Sequence, residues 1–135
     1  MGKNIAAGIA GTLVAVGLVW IIEIAGHTVY PPPPDLDFSD TEAVRLYMSG
    51  LPLGAFLFVG CAWFIGTLGG TMAACYVGNA APRVFAIVVG ALMLVATGVN
   101  LVLIPHPVWF SITGFAGIVL AAWLGMSLSN RAKNH

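Results

Sequence analysis

Residues 5–22 read IAAGIAGTLVAVGLVWII without a charge, and the apolar run continues past Glu23 through IAGHTV to residue 29. A helix needs about 20 apolar residues to cross a hydrocarbon core of about 30 Å. Lipid offers no partner for backbone N–H and C=O groups, so such a run must pair them internally, as a helix. Three further runs of this kind follow, at 53–78, 84–104 and 107–128. The expectation is an all-α transmembrane four-helix bundle forming one integral membrane domain over 1–135, with spans at 5–29, 53–78, 84–104 and 107–128. The composition agrees: 59% of residues are hydrophobic and 7% charged, against about 25% charged in soluble domains. That balance excludes an ordinary soluble domain, a disordered chain and a nucleic-acid binder. The first run exceeds the apolar core of a signal peptide, contains Trp20 and Glu23 and meets no small-x-small cleavage site, so it is expected to be a retained span.

The connections are unequal. Asn79-Ala80-Ala81-Pro82-Arg83 and Pro105-His106-Pro107 are tight turns, whereas residues 30–52 form a loop. Pro31, Pro32, Pro33 and Pro34 stop the first helix and favour extended polyproline II. Ser39-Asp40-Thr41-Glu42 matches a capping box with Ser39 at the cap and Glu42 three residues later. A short helix over 41–48 is predicted, with Ala43, Leu46 and Tyr47 on its apolar face and Gly50 and Pro52 ending it. It is expected to lie on the membrane interface over the bundle mouth.

Charge placement supplies orientation. Four spans put Lys3, Arg83, Arg131 and Lys133 at one end, and Asp35, Asp37, Asp40 and Glu42 at the other with Arg45. The positive-inside rule makes the basic end cytoplasmic. Both termini are then expected in the cytoplasm of a bacterium, with the chain in its inner membrane and the proline-rich loop outside.

Small residues recur at helix-packing spacing, as Ala7-x-x-x-Gly11 and Gly66-x-x-x-Gly70 followed by Ala74. Such stripes let helix backbones approach. They serve packing within one bundle or a homo-oligomer. Tyr30 and Trp109 fit an aromatic belt, whereas Trp20 and Trp63 are expected inside the bundle. Cys61 and Cys75 lie about 21 Å apart along one helix, too far for a disulfide, and read as buried small residues.

The chemistry-bearing residues gather toward the acidic end. Glu23 is the single carboxylate within a span, and an intramembrane acid marks a functional site by default. Burial favours its neutral, protonated form. Trp20, Glu23, His27 and Tyr30 form one stripe, and Glu23 and His27 can touch at i, i+4. Asn100, with Thr97 a turn deeper, and Ser111, with Thr113 near it, come from the last two spans at similar depth, and Cys61 from the second. A polar layer built on Glu23 and Asn100 is therefore predicted, with His27 and His106 at its rim. It serves as a hydrogen-bond network fixing helix register, as a proton or substrate site, or as a metal or haem site whose ligands would be His27, His106 and Glu23. No cofactor is required by any motif, and His135 is terminal. Asp35, Asp37 and Asp40 lack the ligand order of a calcium loop and read as a solvated surface.

The pattern His27-Thr28-Val29-Tyr30 with four prolines and Asp35-x-Asp37, then Asp40, Tyr47, Leu51-Pro52 and Pro105-His106-Pro107, resembles small four-span bacterial inner-membrane proteins of unknown function. The resemblance covers most of the chain and implies the four-span fold alone. The size and the first-span glutamate are similar to those of small multidrug resistance transporters. Those proteins lack a long proline-bearing first loop, and no motif around Glu23 matches theirs, so no residue is carried over. The sequence thus predicts a small structural or accessory membrane protein, alone or within a homo-oligomer or larger membrane complex, and leans away from an enzyme. The alternatives are a proton-coupled transporter or channel using Glu23, and a metal- or haem-binding protein using the histidines.

Overall fold

Apolar length dictates the elements. The computed structural model describes residues 1–133 and folds them into five helices. These are α1 (Gly2–Val29), α2 (Thr41–Gly50), α3 (Leu53–Val77), α4 (Pro82–Leu103) and α5 (Val108–Lys133). All but α2 are long and apolar enough to cross a bilayer. The chain is an all-helical integral membrane protein with four candidate spans. The observed limits differ from the expected ones by a few residues at the ends. Pro82 starts α4 earlier than expected because proline is pre-organised for the first helical turn. His135 lies outside the described residues.

Helix α3 is the hub. It packs most closely on α1 and then on α5, which in turn carries α4, and α1 and α4 touch least. The α1–α3 seam is made by the small-residue stripes. A Cβ on Gly70 would stand 2.5 Å from the Gly11 carbonyl oxygen, and one on Gly66 would stand 2.8 Å from that of Ala15. The two stripes therefore meet each other within one chain. Elsewhere the core is built from Phe56, Trp63, Phe85, Val89 and Ile118, while Ile9, Leu13, Ile87 and Val119 point outward, as lipid-facing side chains do.

Side chains tie the ends together. The Asn4 carboxamide oxygen accepts from the amides of Asn79 and Ala80 at 2.8 and 3.0 Å, and Lys3 donates to Asn79 at 3.2 Å. This fastens the start of α1 to the α3–α4 turn and confirms that Lys3 and Arg83 share an end.

The loop departs from the expected details. Asp40, not Ser39, caps α2, its carboxylate accepting from the amides of Glu42 and Ala43. Ser39 instead donates to Asp37, and Glu42 pairs with Arg45 one turn on. A carboxylate one residue nearer the helix reaches the same orphan amides and adds charge that favours a helix N-terminus. The inward face of α2 is Val44, with Tyr47 and Met48, while Leu46 is exposed. No Cα of α2 comes within 8 Å of another helix. It rests over the bundle end on side chains.

Two further residues differ from expectation. Trp20 is 67% exposed, on the outer face of α1, whereas Trp63 is buried as expected. Cys61 is exposed, whereas Cys75 is buried and directs its thiol toward the Pro82 carbonyl. A residue's rotation about its helix, which composition does not specify, separates each pair.

Candidate functional site

The space under α2 is a cavity of about 170 Å³. Its polar wall is formed by Glu23 and His27 from α1, Asn100 from α4 and His106 from the α4–α5 turn. These are four of the five residues expected in the polar layer. Tyr30 and Tyr47 add hydroxyls from the end of α1 and from α2. The apolar wall carries Phe56, Phe58 and Val59 of α3, and the roof is Val44, Met48 and Leu51.

The fifth residue, Ser111, does not reach the cavity. Its hydroxyl turns back to the Pro107 carbonyl at 3.5 Å, and Thr113 likewise bonds carbonyls of its own helix. Threonine and serine in apolar helices often satisfy their hydroxyls this way, so depth alone overcounts the partners available to a site. Cys61 and Trp20 do not line it either.

Among the described residues, no hydrogen bond joins Glu23, His27, Asn100 and His106 to one another. The groups face a common space instead. The Glu23 carboxyl and the Trp63 indole line a common void, described below. Trp63 was missed as a partner. Its signal was the spacing of Phe56, Trp63, Gly70 and Ala74, which share the face that α3 turns toward its neighbours.

His106 is held firmly. Its Nδ1 lies 2.7 Å from the Ile104 carbonyl oxygen. A carbonyl only accepts, so Nδ1 carries the proton and Nε2 keeps a lone pair. The ring stacks on Phe110 at 5.2 Å and packs against Phe56 and Trp63. Burial among these rings pushes its pKa below the usual histidine value, and the Ile104 bond opposes this only in part.

A second void, about 180 Å³, opens between α1 and α4 directly below the first. Glu23 and Asn100 line both. Its other walls are Thr97, the Trp63 indole and the apolar side chains of Val16, Val19, Met93 and Ala96. Val16 and Ala96 are exposed, so this void opens on the outer surface of the bundle. A third, larger cleft of about 550 Å³ continues along α1 and α4 toward the basic end, past Gly8, Thr12, Val88 and Leu92. All three follow from the weak α1–α4 contact.

Among the described residues, no three His, Cys, Asp or Glu side chains come together as metal ligands do. Comparisons with models of protein families, with curated proteins and with solved structures find no match to this chain.

Proposed function

We propose that this protein binds a small ligand within the membrane at its acidic end, with binding linked to the protonation of Glu23. The observation that carries this reading is that Glu23, His27, Asn100 and His106 face one cavity and are not hydrogen-bonded to each other. Glu23, Asn100 and His106 are half-buried and His27 is exposed, so each keeps polar atoms accessible to what fills the cavity. By the positive-inside rule the cavity opens on the outer side, and both termini are cytoplasmic, in a bacterial inner membrane.

The test is pH-dependent infrared difference spectroscopy of the protein in lipid. A protonated-carboxyl band that titrates and disappears in Glu23→Gln is expected. Glutamine keeps the size and shape of Glu23 and removes the titrating proton. A carboxyl band that is unchanged in the variant, or a Glu23 that does not titrate, overturns the proposal.

Transport is the second reading, and one observation favours it. The three voids follow one another along the α1–α4 seam from the acidic end to the basic end. Under that reading Glu23→Gln abolishes solute-driven proton flux in proteoliposomes.

A further inference from the structure

The arrangement of the voids specifies the ligand. We infer that it is a neutral amphipath with a flat, hydrogen-bonding head and one long apolar tail, the chemical class of the membrane quinones. It would enter sideways from the bilayer between α1 and α4. This rests on the binding function proposed above and names its ligand.

Three observations lead there. The first is size. The outer cavity, about 170 Å³, is smaller than the roughly 300 Å³ at which pockets for whole drug-sized ligands begin. It suits a head group, and the adjoining void provides room for more of the molecule.

The second is the change of polarity at Glu23 and Asn100. Above them the walls offer hydroxyl, amide and imidazole groups between aromatic rings. Below them lie mainly apolar side chains, Val16, Val19, Met93 and Ala96 beside Trp63 and Thr97, of which Val16 and Ala96 stand on the outer surface of the bundle. The larger cleft beyond runs along α1 from Leu13 to Met1, beginning about 15 Å from Glu23 at 1.5 Å per residue. A molecule that fills such a space is polar at one end and apolar along the rest.

The third is charge. No lysine or arginine lines the cavity, and Arg45 is engaged by Glu42. An anionic head therefore lacks a counter-ion. Glu23 lines the cavity with His27 one turn away on the same helix. What remains is a set of donors and acceptors: the Tyr47 hydroxyl, the Asn100 carboxamide and His106 Nε2. They suit carbonyl or hydroxyl groups on a flat ring.

The test uses a variant with Trp20, Trp109 and Trp123 changed to Phe, so that Trp63 is the one indole beside the site. The protein in nanodiscs is titrated with decylubiquinone and with the same ring lacking its tail. Saturable quenching of Trp63 by the tailed quinone is expected. The tail-less ring should bind at least about tenfold more weakly, roughly the effect of two methylene groups withdrawn from water. Ala96→Phe, on the lipid-facing wall of the second void, should weaken the tailed quinone and leave the tail-less ring unchanged. Dodecylamine should fail to displace the quinone.

Equal binding of both rings, with no effect of Ala96→Phe, overturns lateral entry. Displacement by dodecylamine overturns the neutral head. Absence of saturable quenching overturns the inference as a whole. The binding function itself is judged separately by the Glu23 carboxyl band, so the two failures are distinguishable.

Discussion

His106 shows how one residue combines structure and sensitivity to pH. Its Nδ1–H is used by the Ile104 carbonyl, and its ring is packed against Phe110, Phe56 and Trp63. Burial disfavours the charged form and lowers its pKa from the ordinary value near 6.5. The folded protein therefore binds fewer protons than the unfolded chain in the window just below that value. The sign follows from linkage: stability is complete above about pH 6.5 and falls as pH drops through the window. Thermal unfolding in detergent should show a lower melting temperature at pH 5.5 than at pH 7.5. His106→Phe should reduce that difference, and an undiminished pH dependence in the variant would assign the effect to another group. Glu23 illustrates what was legible at this scale. A lone carboxylate in an apolar run is visible in the sequence, whereas its contact with Trp63 depends on how α1 and α3 are rotated against each other.

At the scale of elements, the α1–α3 seam is a contact between backbones. Gly70 and Gly11 lie so close that a methyl group at either would meet a carbonyl oxygen of the other helix. Gly17, on the same α1, has nothing within 4 Å of where its Cβ would stand. Alanine forms helix better than glycine by up to about 1 kcal/mol. Gly17→Ala should therefore be neutral or stabilising, whereas Gly70→Ala should destabilise by about 1–3 kcal/mol as an overpacked contact. Melting temperatures of the two variants check this, and equal shifts would mean that the seam is looser than its glycines imply. The helices and their approximate limits were legible because apolar length and Pro or Gly boundaries are local properties. The pairing of stripes was legible only as a tendency, since the same spacing serves a neighbour in the chain or a second copy. The cap on α2 was misplaced by one residue because Ser39 and Asp40 are both good caps. Local geometry then favours the carboxylate that reaches two amides.

At the scale of the whole molecule, the zero net charge divides into a basic end and an acidic loop. Lys3 and Arg83 are brought together at one end by the Asn4 and Lys3 contacts with Asn79 and Ala80. The orientation proposed above from the positive-inside rule puts that end in the cytoplasm. In a background with Cys61→Ser and Cys75→Ala, Asp35→Cys should react with a membrane-impermeant maleimide in intact cells. Ala81→Cys should react only after permeabilisation, and the reverse pattern would invert the proposed orientation. Both positions are exposed.

The sequence by itself determined that this chain forms four helices long and apolar enough to cross a membrane, and that polar residues collect toward one end. Those properties follow from counts and spacing along a single helix, which need no knowledge of neighbours. Tertiary structure alone decided that Glu23, His27, Asn100 and His106 share a cavity while Ser111, Cys61 and Trp20 do not. It also decided that α1 and α4 part along a lipid-facing cleft meeting that cavity at Glu23 and Asn100. The reason is rotational. In a helix that is apolar on every side, no periodicity marks the inward face, and only close packing of small residues between α1 and α3 fixes which way each polar side chain points.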